Sequence, residues 1–190
     1  MANTAYCLKE FDGKIDPIML TGQELLNSNL NGRDGIQHLF RYLKENAITT
    51  ADVEKIGYKF PDANICANCS FDVELVLSDG QPIKHLEFKS YQDVSGIDLK
   101  QLKEYLSQIT DLNQLKYIFN PAKLNSQQAK DDMKAFLKSN AKPVFDANPS
   151  LFKSLDKADG TGKIADWEDL YNLANSNIAN NPLVSFVESL

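Results

Sequence analysis

Cysteine is scarce, tryptophan occurs once, and no apolar run approaches the roughly 18 to 20 residues of a membrane helix. Three cysteines cannot all pair, so no disulfide framework carries this fold. Cys66 and Cys69 form a lone CxxC with no second pair and no His at ligand spacing. That argues against a structural zinc and suits ordinary thiols in a reducing compartment. With 9 glycines, 7 prolines and no persistent heptad, collagen-like, low-complexity and coiled-coil architectures are excluded. The opening Met1-Ala2-Asn3-Thr4 has neither a basic nor an apolar region of a secretory signal, so the expectation is a soluble cytoplasmic protein without a membrane partner.

Positive charge is also in deficit. Against 26 acids stand 20 bases, a net charge of -6, which excludes attachment to nucleic acid chiefly through bulk positive charge. The balance reverses locally: residues 98 to 142 carry eight lysines and five acids, enough for a basic face on an acidic protein. What is present is 190 residues, 43% hydrophobic and 24% charged, long enough to bury a core without staples.

Periodicity orders that material. Asn31-Gly32-Arg33-Asp34 punctuates the chain, and Ile36, Leu39, Phe40 and Leu43 then predict a helix over Gly35 to Glu45, N-capped by Asp34. Val53 to Phe60 reads as a strand closed by Pro61-Asp62. Phe71 to Leu75 alternates apolar and acidic residues like a half-exposed strand, and Ile83 to Tyr91 is its return. Asp98 to Ile109 is an amphipathic helix and Leu115 to Phe119 a short strand. Helices follow around 126 to 139 and 165 to 179, with irregular chain between them. The fold class is α/β, a mixed sheet flanked by helices with a helical C-terminal extension. The expected organisation is an N-terminal segment (1-33), an α/β core (34-124) and a helical part packed on that core (125-190).

A two-residue turn at Asp79-Gly80 sets the hairpin register. Val76 then faces Ile83, Glu74 faces His85, and Asp72 faces Glu87. One face carries Phe71, Val73, Leu75, Leu86 and Phe88; the other carries Asp72, Glu74, His85, Glu87 and Lys89. Like charges directly opposed across strands are destabilising, so something offsets Asp72 against Glu87. A hard divalent cation does so, because Mg²⁺ binds one or two carboxylates together with waters and phosphate oxygens. The plain alternative is a solvated strand face on which the acids splay apart and Lys89 or Lys84 neutralises them.

Asp72 followed by Glu87-Phe88-Lys89 after a hairpin resembles the PD-(D/E)XK nucleases, the restriction-endonuclease-like superfamily. Gln101-Leu102-Lys103-Glu104-Tyr105 on the next helix is similar to the QxxxY motif of its RecB-like, phage-exonuclease-like branch. The resemblance covers about residues 34 to 120 and departs from the family where Phe71, not proline, precedes Asp72. It implies a restriction-endonuclease-like core holding Mg²⁺, or Mn²⁺ in its place, through Asp72, Glu87 and the Phe88 carbonyl. It further implies that Lys89 positions the attacking water and stabilises charge on the phosphate. Gln101 would bond Lys89 or the phosphate, Tyr105 would contact the substrate backbone, and Glu74 would back the ligands or hold a second metal. An upstream ligand would come from His38, Glu45 or Glu24, with His38 also readable as a buried helix residue.

On this reading the chain is a Mg²⁺-dependent nuclease, DNA preferred, with Lys100, Lys103, Lys116 and Lys123 as candidate phosphate contacts. Compact nuclease domains of this kind occur as interbacterial toxin modules, which implies delivery into a target cytoplasm and a cognate immunity protein as partner. The competing function is a non-catalytic binding module on the same fold. Residues 157 to 168 imitate a calcium loop, with Gly162 and Glu168 in place. Lys157 at the first ligand position opposes a cation, so a glycine-rich turn with Trp167 as a packing anchor is expected.

Overall fold

The computed structural model describes residues 10-11, 13-14, 30-59, 70-76, 84-90, 92 and 96-189. The turn at Asp79-Gly80, the Cys66/Cys69 motif, Pro61-Asp62 and Glu24 lie outside them. The chain is mixed α/β and divides into two compact units, Met1–Ser90 with Leu190, and Tyr91–Ser189. The division falls after the third strand.

The first unit contains helix α1 (Leu30–Glu45) and strands β1 (Val53–Lys59), β2 (Ser70–Leu75) and β3 (Lys84–Lys89). Helix α1 begins at Leu30, so Asp34 lies inside it and is not its N-cap. The expected start overweighted Asn31-Gly32; burial of Leu39, Phe40 and Leu43 repays a helix that begins with poor helix formers. After α1, the carboxylate of Asp52 accepts hydrogen bonds from the Thr49 amide (2.8 Å) and hydroxyl (2.7 Å), a turn that launches β1. Strands β1, β2 and β3 pair antiparallel. Ile56, Val73 and Leu86 form one buried cross-strand row, and α1 packs against β3. Phe88 receives edge contacts there from His38 and Tyr42, at ring separations of 5.4 and 5.3 Å.

The second unit contains α2 (Leu99–Ser107), β4 (Leu115–Phe119), α3 (Ser126–Ser139), α4 (Ala141–Ala147), α5 (Pro149–Lys153), α6 (Trp167–Asn175) and β5 (Val187–Ser189). Asp98 caps α2, accepting from the amides of Lys100 and Gln101 at 2.7 and 3.2 Å. The stretch expected to be irregular contains α4 and α5, joined by Asn148. Its side-chain amide donates to the Leu106 and Ile109 carbonyls, both at 2.9 Å, which ties α5 to the end of α2. The C-terminal part is not purely helical. β5 pairs parallel with β4, Tyr117 opposite Val187, an arrangement no local turn signal announces. Lys116 pairs with Glu188 and donates to the Ser185 carbonyl, fastening that strand. No helix among the described residues is long and apolar enough to cross a membrane.

In the calcium-like loop, Lys157 Nζ lies 3.0 Å from Asp169 Oδ2, an internal ammonium among acids. Trp167 is 37% exposed, as is Tyr171 one turn later on α6, so it does not anchor the packing.

Candidate functional site

The expected hairpin register is present. Val73 pairs with Leu86, Glu74 with His85 and Leu75 with Lys84. The paired ladder ends at Val73 and Leu86, and Asp72 reaches β3 through its side chain: the Phe88 amide donates to Asp72 Oδ2 at 2.7 Å. The Asp72 carboxylate thus takes the N–H of the Glu87–Phe88 peptide, a charge-assisted bond that ties it to the neighbouring strand.

Lys89 completes the set. Its ammonium lies 2.6 Å from Glu87 Oε1, with the two side chains 7% and 4% exposed. The positive charge of Lys89 also acts on Asp72. Burial pushes the Asp72 carboxyl above the ordinary carboxylate range, and the Lys89 charge and the Phe88 N–H pull it back down. Lys89 is therefore the common partner of the two acids, bonded to Glu87 and acting through its charge on Asp72.

That face is not half-exposed as the alternation suggested. Glu74, Glu87 and Lys89 are all buried, and the acids are not splayed into solvent. Alternation of charge with apolar residues marks a change of environment between faces; here Glu87 Oε1 meets the Lys89 ammonium inside the protein rather than water. A second cross-strand row lies beside the first, Lys55 facing Glu74 and Glu74 facing His85. Burial and then the neighbouring Glu54 raise the Glu74 carboxyl, while Lys55 lowers it. Desolvation holds His85 down at about 4, so it is neutral at pH 7.

Sequence reasoning overlooked Gly57. The pairs Ile56 with Val73 and Tyr58 with Phe71 place it across from Asp72 on the strand opposite β3, buried and with φ +76°. A glycine inside a strand signals close approach or a local distortion. Here it removes a Cβ from the row that holds Asp72 and Glu87.

The other expected residues lie as follows. His38 is 1% exposed on the Phe88 side of the sheet, in contact with that ring and with Arg41 at 3.4 Å, so it does not join the acids. Glu45 is exposed at the end of α1. Gln101 and Tyr105 belong to the second unit. Gln101 is half-buried, and Tyr105 is 0% exposed with its ring 6.3 Å from Tyr117. In this conformation Tyr105 packs α2 against β4 and presents no ring to solvent. Lys100 is exposed, Lys103 and Lys123 are half-buried, and Lys116 is committed to Glu188.

Among the described residues no group of three or more His, Cys, Asp or Glu side chains is placed to hold a metal ion. A cation here would be held by Asp72, Glu87 and the backbone oxygens beside them, a small set of the kind that Mg²⁺ would complete with waters and phosphate oxygens.

Comparison with family models, curated proteins and solved structures returns no match.

Proposed function

We propose that the chain is a metal-dependent phosphodiesterase acting on nucleic acid, with DNA as the preferred substrate. The observation that carries the reading is the Lys89 ammonium 2.6 Å from Glu87, with its charge also felt by Asp72. Two carboxylates and an ammonium held together in a buried site are the groups that phosphodiester hydrolysis requires.

Asp72 and Glu87 would hold Mg²⁺ or Mn²⁺, with the Phe88 carbonyl as a further oxygen donor. When bound, the metal supplies Lewis acidity and lowers the pKa of a coordinated water. Asp72 is oriented by the Phe88 amide at Oδ2, and its other oxygen, Oδ1, would serve as the ligand. Lys89 carries the positive charge that stabilises the pentavalent phosphate in the transition state. Glu74, one row away, adds negative charge behind the site. A delivered toxin with an immunity partner remains an extension by analogy from this chemistry, not from any contact in the chain.

A second reading, a non-catalytic binding module, draws on the same ion pair. Lys89 already neutralises Glu87, so the trio also stands as a buried structural pair. Incubation of the purified chain with plasmid DNA and with RNA, in Mg²⁺ and in EDTA, separates the two. Cleavage in Mg²⁺ that EDTA abolishes supports the phosphodiesterase; intact substrates at high protein concentration support the binding module.

A further inference from the structure

We propose that Lys89 is the site's built-in counter-cation, released from Glu87 by a substrate phosphate, so that divalent metal and nucleic acid bind synergistically. This rests on the metal-site reading above and adds to it the order of events at Glu87.

The ammonium holds Glu87 Oε1 at 2.6 Å, both side chains nearly closed to water. A divalent cation reaching Glu87 meets that ammonium at the same oxygen, and two cations within a few ångströms in a poorly screened site repel each other strongly. Lys89 therefore lowers the affinity for metal alone. A phosphodiester oxygen reverses this. It is an anionic acceptor able to take over the ammonium, whose flexible four-carbon stem and rotatable donors let it follow. Once the phosphate draws Lys89 away, Glu87 turns its oxygens to the metal, and the metal in turn binds the phosphate. By linkage, the factor by which the phosphate tightens metal binding equals the factor by which metal tightens phosphate binding. The ligand pair is a divalent cation and a phosphodiester anion.

The test measures free Mn²⁺ by electron paramagnetic resonance with the full chain, alone and with a short phosphorothioate oligodeoxynucleotide that resists cleavage. Without oligonucleotide, Lys89→Met is expected to bind Mn²⁺ about tenfold more tightly than the wild type. The oligonucleotide is expected to tighten Mn²⁺ binding about tenfold in the wild type and little in Lys89→Met. Equal or weaker Mn²⁺ binding by Lys89→Met, or the same oligonucleotide effect in both, overturns the proposal. Should Lys89→Met fail to fold, the wild type still decides. Its lysine ammonium ¹⁵N resonances are followed as Mg²⁺ and oligonucleotide are added together. The Lys89 signal is expected to shift, and an unmoved signal overturns the proposal. Glu87→Gln, measured with oligonucleotide present, keeps the underlying reading separate. Mn²⁺ binding unchanged in that variant removes the metal site itself, whereas lost binding with no Lys89 effect removes only the counter-cation.

Discussion

Lys89 and Glu87 form a buried ion pair at 2.6 Å between residues two apart on the same strand, on the face turned away from Phe88. Strand geometry puts residues i and i+2 on one face, so a Glu-x-Lys sequence places both groups together without any turn or loop. What the sequence does not state is that the face is closed to water, and this changes the energetics. Breaking a buried pair by removing one partner costs about 3 to 5 kcal/mol, while replacing both with apolar or neutral groups is often neutral. Glu87→Gln and Lys89→Met are each expected to destabilise by about that amount, and the double variant by less than either. Urea denaturation of the four proteins checks this; additive losses would mean that the two groups do not interact.

Asp72→Asn separates chemistry from folding. The amide oxygen of Asn can still accept from the Phe88 N–H, and the variant no longer buries a carboxylate whose ionised form is disfavoured there. Stability is expected to be unchanged or slightly higher, with loss of metal-dependent cleavage. A variant that cleaves like the wild type would remove Asp72 from the site.

His85 gives a pH signature. It titrates at about 4 in the folded chain and near its ordinary value of 6.5 when unfolded. Between those values the unfolded chain binds a proton that the folded chain refuses, so this group withdraws stability as pH falls from 6.5 towards 4. Asp72 and Glu74, raised by burial, act in the opposite sense: their contribution is present in acid and lost as pH rises through their folded values. His85→Gln removes only the first effect. Its urea midpoint should fall less than that of the wild type over pH 6.5 to 4; parallel midpoints would show that the imidazole is not desolvated.

Gly57→Ala tests the row opposite Asp72. With φ +76°, a Cβ there is strained by about 1 to 2 kcal/mol. The variant is expected to lose that much stability, and to lose activity as well if the added methyl displaces Asp72. A variant as stable as the wild type would show that β1 relaxes freely at this point.

The calcium-like loop is expected to ignore Ca²⁺. Lys157 sits 3.0 Å from Asp169, and the hydrogen bond to Asp169, then the charges of Asp169, Asp159 and Asp166, hold its ammonium above the usual lysine value. Trp167, the only tryptophan in the chain, reports from the adjoining helix. Its fluorescence should not change between Ca²⁺ and EDTA; a Ca²⁺-dependent shift would contradict the turn assigned here.

Much of this arrangement was legible in the residues, because period-two alternation and the spacing between Glu74 and His85 specify both faces and register in a hairpin. The β3 face pairing and the α2 cap at Asp98 follow from equally local signals. The rest depends on contacts distant in sequence. β5 joins β4 across some seventy residues, α1 extends backwards through Asn31 and Gly32, and Trp167 is exposed by what surrounds α6. In the site, the residue types at Asp72, Glu87 and Lys89 were readable, but neither their burial nor the glycine facing Asp72 was. Tyr105 shows the same limit: a motif position and a core position have the same spacing on an amphipathic helix, and only packing tells them apart.

The most direct measurement is the anomalous diffraction of crystals grown with Mn²⁺ and the cleavage-resistant phosphorothioate oligonucleotide. A peak within about 2.0 to 2.2 Å of carboxylate oxygens of both Asp72 and Glu87 is the predicted result. Full Mn²⁺ occupancy elsewhere in the chain, with no peak between those two carboxylates, would contradict the account.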